Sequence, residues 1–430
     1  MSEIKTVTNA NSLGFLPGRD AYENSLALQS AIDKKGEIIV SAPGIYEISE
    51  QIEIGSDTIL SFGDGVVIKR VPSVSGRNGS AFINKGAVKK EYDSNIEING
   101  LHLECAGVES HDFGLSRMVG LRAQVGMIYV KNLKVTDFSC HGLLKKDYAI
   151  QISAFSNIYL DGLHISGDKD GVHLGWGNNF VIRNGEFCTY DDPIALNAFD
   201  YATSNTHVGW IENGLIENCT DLDADTVGYF CRILAGAWVK WYKGMKVQHS
   251  DTVAVNGRTY RVVMNPTDGK LYTSLTPPSH ERGEKEYDGI NWNVVRDTEE
   301  LNCGCRNIVI RNCVLQKKRD AAIAFSMNND TYAKSYYPGC TLIPQSNIVL
   351  DGIKVTGDVK YLLHSNFPTE NVTIRNIDLK NTALCFETVK DLSEVKYPTV
   401  NITAENVKFY EDSVITSPGH RVEIKEKTEM

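Results

Sequence analysis

Four aspartates precede two short apolar segments, in positions that would bring their carboxylates together. Asp168 and Asp170 lie in GDKDGVHL, and Asp191 and Asp192 lie in TYDDPIALNA, so that Asp170 and Asp192 are 22 residues apart. Like charges held close together raise the pKa of one member. A protonated acid beside ionised carboxylates is what hydrolysis of a glycosidic bond requires. Asp-Gly and Asp-Asp-Pro are also ordinary turn sequences, but the spacing of the two groups favours a catalytic function.

A recurring nine-residue phrase indicates the elements that would position these acids. The phrase begins with Asn and then alternates apolar with polar residues, as in NIYLDGLHI from Asn157. Clear copies begin at 95, 157, 179, 307, 347, 371 and 401, and looser copies begin at Met127 and Val208. Alternation broken by Asn and Gly predicts short strands joined by turns, and a regular period indicates stacked coils. We therefore predict an all-β fold, a right-handed parallel β-helix whose coils each add a strand to three parallel sheets.

Two further segments complete the predicted architecture. Residues 20–36 predict a short helix that covers the open end of the first coil, with Asn24 or Ser25 as its N-cap and Gly36 at its end. The copies at 208 and 307 are 99 residues apart, too far for one coil. The excess predicts an inserted β-rich module at 237–304, within a β-helix that spans 1–430.

A second column of residues predicts a binding cleft over the central coils. Period-2 alternation in the segment after each phrase directs every second side chain outward. The predicted outward column is Gln151, His173, Ala195, Arg232, Ala324, Leu363, Phe386 and Ile415. Because this column is polar only near the middle coils, we expect the substrate to bind there. The candidate substrate-binding residues are Gln151, Lys169, His173, Asn197 and Arg232, together with Trp241 and Trp292 of the module. These tryptophans either stack on sugar rings or form the module's own core.

The acidic segments carry a family resemblance. GDKDGVHL followed by TYDDPIALNA resembles the core of glycoside hydrolase family 28, the polygalacturonases and their relatives, over residues 150–235. The resemblance implies a right-handed β-helix and hydrolysis with inversion at a uronic acid or a related sugar. It also implies that Asp192 is the general acid and that Asp170 and Asp191 activate water.

The chain departs from that family's pattern at several positions. Asp168 and Lys169 replace the Asn-Thr before the first Asp, and Tyr190 replaces the Gly before the Asp pair. The family's Gly-His-Gly turn has no counterpart. Its Arg-x-Lys motif is matched only by Arg232, with Leu234 at the Lys position. Because that Lys contacts a galacturonate carboxylate, these departures imply a substrate other than plain polygalacturonate.

Composition argues against several classes of protein and of site. The net charge is −10 with no basic stripe, which argues against a nucleic-acid partner. No apolar run is long enough for a membrane helix, and the N-terminal segment lacks the apolar core of a signal peptide, so we leave the localisation open. The ten cysteines read as buried thiols of the coil interior. Cys303-Gly304-Cys305 lacks a second ligand pair, so we predict no metal site, no cofactor and no disulfide framework.

Two other functions remain open alongside hydrolysis of an acidic, pectin-like polysaccharide or oligosaccharide. A polysaccharide lyase would need a base, for which Arg232 is the candidate, and Ca²⁺ held by the aspartates. A phage tail protein would bind or depolymerise a surface polysaccharide, and the inserted segment resembles small modules of such proteins. Monomer and homotrimer are both compatible with the sequence.

Overall fold

The protein is a right-handed parallel β-helix, as the repeated phrase predicts. The computed structural model describes residues 6–105, 107–109, 118–388 and 397–427. Three columns of parallel strands surround one apolar interior, and strands pair with their counterparts in neighbouring coils. Alternating apolar residues of each strand point into this interior because successive side chains of a strand face opposite sides.

The helices are short and the strands fall into three columns. The α-helices are Ala21–Ile32 and Gly86–Lys89, and the 3-10 helices are Ala10–Leu13 and Pro266–Asp268. The first column contains Val7–Asn9, Gly36–Val40, Thr58–Phe62, Asp93–Asn99, Ile211–Glu217, Cys305–Arg311, Gln345–Asp351, Thr369–Asp378, Val400–Lys408 and Val422–Lys427. The second contains Gly44–Ile48, Val66–Arg70, His102–Glu104, Thr220–Asp221, Val314–Leu315 and Lys354–Val355. The third contains Ile52–Ile54, Phe82–Asn84, Val172–Leu174, Ile194–Asn197, Cys231–Leu234, Arg319–Ser326, Val359–Ser365, Ala383–Phe386 and Val414–Thr416. Three long strands bend from column to column, namely Ala123–Leu143, Tyr148–Gly167 and Gly177–Thr189.

An asparagine ladder runs along the turn at the start of the first column. Nδ2 of Asn132, Asn157 and Asn179 donates to Oδ1 of Asn95, Asn132 and Asn157, at 3.0, 3.2 and 3.0 Å. These four asparagines have φ between 55° and 60°, a left-handed conformation that Asn tolerates better than most residues with a side chain. The ladder also shows that Asn132 and Asn213 hold this position. The looser copies, which we began at Met127 and Val208, were therefore five residues out of register.

The interior of the third column is a stack of apolar side chains. Ile150, Val172, Ile194, Cys231 and Ile323 pair in succession and are fully buried. Leu363 and Phe386 continue inside the coil, so their predicted outward position is wrong. The outward residues there are His364, which pairs with Ala324, and Cys385, which pairs with His364. The predicted alignment was one residue off in both segments, and a shift of one residue exchanges the two faces of a strand.

The N-terminal helix begins earlier than predicted. Asp20 is the N-cap of helix Ala21–Ile32 and accepts hydrogen bonds from the backbone N–H groups of Tyr22 and Glu23. Asn24 and Ser25 are buried within the helix, so the prediction that one of them caps it is wrong. Gly36 opens the following strand instead of ending the helix.

Residues between the strands Cys231–Leu234 and Cys305–Arg311 leave the three columns. Gly236–Ala237 pairs antiparallel with Asn302–Cys303, so the segment leaves and returns at one point. Its five-stranded sheet contains Val239–Lys240, Thr252–Val255, Arg258–Val262, Glu284–Tyr287 and Ile290–Arg296, and its two-stranded sheet contains Met245–Val247 and Tyr272–Ser274. Below, this segment is called the module.

The described residues include no helix with the length and apolar character that a membrane crossing needs. The ten cysteines are free thiols, and all except Cys188 and Cys340 are buried.

Candidate active site

Two acidic turns lie in adjacent coils where the chain enters the third column. The backbone N–H of Gly171 donates to the carbonyl of Asp192 at 3.0 Å, and Val172 pairs with Ile194. Asp170 and Asp192 therefore occupy equivalent positions one coil apart. One carboxylate oxygen from each of Asp170, Asp191 and Asp192 lies within 4.8 Å of the others. Below, these three residues are called the carboxylate cluster.

Asp170 is the ionised member of the carboxylate cluster. It is 3% exposed, His173 Nδ1 lies 3.0 Å from its Oδ2, and Lys169 Nζ lies 3.4 Å from its Oδ1. Burial would raise the pKa of Asp170, but the Lys169 ammonium and the His173 hydrogen bond lower it to about 2. Asp170 therefore carries its negative charge at any pH near neutrality.

Asp192 is the member of the cluster whose pKa is raised most strongly. It is 1% exposed, and its Oδ1 accepts a 2.7 Å hydrogen bond from the backbone N–H of Tyr229. Burial and the charges of Asp191 and Asp170 raise the pKa of Asp192 well above its usual range. Arg232 acts in the opposite direction, but its Nη1 is 3.9 Å from Asp192 Oδ2, too far for a direct hydrogen bond.

Asp191 is the most accessible of the three acids. Its side chain is 22% exposed and contacts the Lys169 ammonium. Burial and the neighbouring charge of Asp170 raise the pKa of Asp191, while Lys169 lowers it. The cluster thus places carboxylates with opposite pKa shifts side by side, the arrangement that supplies an acid and a base from one residue type.

Two predicted substrate-binding residues lie beneath the site instead of on its surface. His173 is fully buried and stacks on Tyr148 with ring centroids 4.2 Å apart. Gln151 is also fully buried, donating to the carbonyl of Gly120 at 2.8 Å and accepting from the backbone N–H of Arg122 at 2.9 Å. Neither side chain is exposed: Gln151 bonds to the surrounding backbone, whereas His173 bonds to the Asp170 carboxylate. Their substrate-binding roles stay predictions.

The structure also buries Asn197 and Trp292, whereas Trp241 is only partly buried. Asn197 is 1% exposed and donates to Asp200 Oδ2 at 2.8 Å. Trp292 is fully buried within the module, and Trp241 packs against the same core while its Nε1 donates to Ser274 Oγ at 2.8 Å. A fully buried ring has no face for a sugar, so the stacking prediction for Trp292 is wrong.

Several charged and polar residues near the carboxylate cluster were missed by sequence reasoning. Arg122 Nη1 donates to the Tyr201 hydroxyl at 3.3 Å. Arg232 Nη2 lies 2.7 Å from the Asn328 side-chain oxygen, once that amide is oriented to satisfy both its atoms. Asp200, only three residues after Asn197, could have been suspected from its turn sequence. Arg122 and Asn328 lie in coils distant in sequence and outside any recognisable motif.

The module holds the loop that borders these residues. Arg261 is fully buried, and its guanidinium donates to the backbone carbonyls of Asp200 and, at 2.8 Å, Asn205. Ala202 N donates to Ser250 Oγ of the module at 2.9 Å. The module is therefore packed against the 198–206 loop.

An open cleft of about 920 Å³ continues from the acidic turn toward the C-terminal coils. It is lined by Tyr190, Asp223, Ala224, Asp225, Thr226, Lys318, Arg319, Asp320, Asp358 and Lys360. The carboxylate cluster does not line this cleft, but Tyr190 directly precedes Asp191. Arg319 pairs with the buried Asp221, and Lys318 lies 3.2 Å from Asp358, so the four aspartates of the lining exceed its lysines in charge.

Comparison with known proteins supports the fold. No family model and no curated protein matches the sequence. Among solved structures, the chain is similar to a Family 28 exopolygalacturonase of Yersinia enterocolitica, with a TM-score of 0.52, 12% identity, and coverage of 97% of this chain and 78% of that one. It also matches an endo-xylogalacturonan hydrolase of Aspergillus tubingensis, with a TM-score of 0.48, 9% identity, and coverage of 97% and 95%. A surface protein and adhesin of Streptococcus pneumoniae matches with a TM-score of 0.46, 14% identity, and coverage of 98% and 100%. At these identities, the likeness shows the fold alone.

Proposed function

We propose that the protein is a glycoside hydrolase whose acid/base groups are Asp170, Asp191 and Asp192. The observation that carries this proposal is one group of three carboxylates in which the pKa values of Asp192 and Asp191 are raised and that of Asp170 is lowered. The family 28 resemblance of the same two turns, and the fold shared with a Family 28 exopolygalacturonase, support it.

Each acid has a distinct role in the proposed reaction. Asp192 donates its proton to the glycosidic oxygen as the bond to the leaving group breaks. Asp191, the more accessible acid, accepts a proton from the attacking water, since a base of raised pKa is more effective than one of lowered pKa. Asp170 stays ionised, holds Lys169 and His173, and stabilises the positive charge that develops on the sugar ring.

The separation of the carboxylates bears on whether hydrolysis inverts or retains the configuration of the anomeric carbon. The family resemblance implies inversion, in which the two carboxyl groups usually lie roughly 6.5–9.5 Å apart, whereas retaining pairs lie about 5–5.5 Å apart. The oxygens of the carboxylate cluster lie within 4.8 Å of one another, closer to the retaining class. We keep inversion as the proposal, and proton NMR of the first anomer released distinguishes the two outcomes.

The proposal is tested with Asp192→Asn on a panel of glycans, reading reducing ends. We expect kcat to fall by roughly 10²- to 10⁴-fold on any glycan that the parent cleaves, because a proton-transfer group is lost. Asp168→Asn is the matched control, since Asp168 lies in the same acidic turn but outside the carboxylate cluster. Near-normal turnover by Asp192→Asn would refute the assigned role.

The charges of the adjoining cleft bear on the substrate. Four aspartates and two lysines line it, and one of these lysines, Lys318, pairs with Asp358. The lining therefore keeps an excess of negative charge, and a densely anionic chain would meet repulsion there. We therefore propose a glycan with few acidic groups in place of a polyuronate. The panel should include matched neutral and uronic acid polymers, and faster cleavage of the polyuronate would contradict this part of the proposal.

The lyase alternative is less well supported than hydrolysis. A lyase would need a base that gives up its proton readily, and Arg232 was the sequence candidate. Burial alone would lower the pKa of Arg232. The neighbouring negative charges, with Asp192 and Asp200 foremost, raise this pKa by more than burial lowers it, so the guanidinium stays protonated. Ultraviolet absorbance of an unsaturated uronide among the products would nevertheless establish elimination.

A polysaccharide-binding tail protein is the alternative from a different class. It predicts a homotrimer and glycan binding that survives Asp192→Asn without any cleavage by the parent. We propose that the module, in either function, shapes access to the site by holding the 198–206 loop. Light scattering gives the oligomeric state, and the glycan panel gives the activity.

A further inference from the structure

A second cluster of potential ligands lies on the outer face of the third column, away from the carboxylate cluster. His364, Cys385 and Glu387 each place one ligand atom within 4.8 Å of the other two. Four coils separate the strand that follows Asp192 from the strand of Cys385, which corresponds to about 19 Å at the usual strand spacing. The two clusters are therefore separate sites.

The backbone of the fold aligns these three side chains. His364 and Cys385 are paired residues of adjacent coils, and Glu387, two residues beyond Cys385, continues on the same face. The backbone N–H of Glu387 donates to the carbonyl of Ser365 at 2.8 Å, which fixes the position of Glu387 beside the His364 coil. The sequence prediction that placed Cys385 in the coil interior is wrong, because its thiol faces Glu387.

We propose that His364, Cys385 and Glu387 form a binding site for a divalent transition-metal ion of the zinc type. Imidazole, thiolate and carboxylate are the ligands that zinc accepts in proteins, and three of them leave the fourth tetrahedral position open to water or a ligand. Tetrahedral zinc would separate its nitrogen and oxygen ligands by about 3.3 Å and its sulfur from either by about 3.6 Å. The structure has His364 Nε2 at 3.1 Å from Glu387 Oε2, and Cys385 Sγ at 3.8 Å from Glu387 Oε1.

The surroundings of the cluster allow an ion to enter. The side chains of His364 and Glu387 are 21% and 52% exposed, so the more exposed Glu387 can move aside to admit an ion to the buried thiol. Tyr361 stacks on the His364 ring with centroids 5.7 Å apart and restrains its orientation. The Lys360 ammonium lies over the Tyr361 ring, 4.7 Å from its centroid. Its positive charge would repel a bound metal ion.

The test uses full-length protein freed of metal with a chelator. We expect one equivalent of Zn²⁺ to bind in competition with a chromophoric chelator, and Co²⁺ to give the intense near-ultraviolet band of a cobalt–thiolate bond. Cys385→Ser should abolish that band, and His364→Gln should weaken Zn²⁺ binding at least tenfold. Cys340→Ser, which changes a partly exposed thiol outside this cluster, is the control and should bind as the parent does.

Three results would overturn the proposal. They are the absence of stoichiometric Zn²⁺ binding by the parent, binding that survives Cys385→Ser and His364→Gln unchanged, and a cobalt spectrum without the thiolate band. Asp192→Asn tests which of the two clusters binds the metal ion, because Zn²⁺ binding that is lost in this variant would belong to the carboxylate cluster. That outcome would also contradict the proposal.

Discussion

At the scale of single residues, Asp170 and Asp192 show how neighbours divide the work between identical side chains. Both are almost fully buried, which by itself disfavours their charged forms. Lys169 and His173 stabilise the charged form of Asp170 and so offset the effect of burial. Asp192 instead faces two other carboxylates and a more distant Arg232. The same burial therefore leaves one acid charged and the other protonated.

This contrast predicts opposite effects on stability for two isosteric substitutions. The folded-state pKa of Asp170 lies below its unfolded value of 3.8, so its charge contributes stability above that value, which is lost as pH falls through about 2. Asp170→Asn should lower the free energy of unfolding at neutral pH by about 2 kcal/mol. Asp192 has a raised pKa, so its stability contribution falls as pH rises through the folded-state pKa.

Asp192→Asn should therefore be as stable as the parent or more stable at neutral pH. Urea unfolding of both variants at neutral pH provides the measurement. A loss of stability in Asp192→Asn equal to that in Asp170→Asn would show that the two carboxylates are in the same charge state.

The pH dependence of hydrolysis gives a second prediction at this scale. Activity should fall on the alkaline side as Asp192 loses its proton. Arg232 lowers the pKa of Asp192, so Arg232→Gln should move the alkaline limb of kcat/KM to higher pH. Lys318→Gln, which removes a cation of the adjoining cleft, serves as the control. A shift of the limb to lower pH in Arg232→Gln would contradict Asp192 as the general acid.

At the scale of elements, the asparagine ladder contributes to stability in two ways that substitutions can separate. One is the left-handed backbone conformation that Asn tolerates, and the other is the hydrogen bonding between side-chain amides. Asn157 has a φ of 58°, donates to Asn132 and accepts from Asn179. Asn157→Gly removes the amide but permits the backbone conformation, whereas Asn157→Ala also adds a left-handed strain of roughly 1–2 kcal/mol. We expect the Ala variant to be less stable than the Gly variant by about 1 kcal/mol in urea unfolding. Equal stabilities would mean that the turn relaxes.

The module supplies another prediction at this scale. Trp292 is fully buried, and its replacement by Ala should destabilise the module by about 3–5 kcal/mol. KM should stay near the parent value for the protein that remains folded, because the ring offers no face to a sugar. Tyr242→Ala, at a 52% exposed aromatic residue of the same module, is the control and should leave the melting temperature nearly unchanged. A raised KM with an unchanged melting temperature in Trp292→Ala would restore the stacking interpretation.

The sequence predictions were accurate where a residue type fixes the register of a strand, and they failed where only apolar alternation was available. Clear phrases predicted the first column from Asn95 onward, because Asn and period-2 alternation mark these coils independently of their neighbours. The strands Val7–Asn9, Gly36–Val40, Thr58–Phe62 and Val422–Lys427 belong to the same column but carry no copy of the phrase. The looser copies were placed five residues out of register because alternation alone lacks a fixed origin, which the ladder of Asn132 and Asn213 supplies. The outward positions of His364 and Cys385 were missed because consecutive apolar residues, such as Leu362 and Leu363, leave the alignment of a strand uncertain by one residue.

At the scale of the whole molecule, the coil length explains why the carboxylate cluster could be predicted and its surroundings could not. Asp170 and Asp192 are separated by one coil, so their proximity follows from local repetition. Arg122, Asp200 and Asn328 reach the same region through different coils and through a loop that the module holds. Their positions depend on packing between segments distant in sequence, which composition and spacing do not encode.

The antiparallel pairing of Gly236 with Cys303 has a consequence for how such a protein can evolve and be engineered. Residues so paired lie only about 5 Å apart, so a tight turn could join them while the coils on either side keep their register. The junction is then a point at which a whole cassette of sequence can be removed, exchanged or acquired at small entropic cost, because loop closure depends only weakly on length. One catalytic coil could in this way be combined with different accessory structures, and a library of modules grafted at this junction would diversify specificity without redesign of the solenoid.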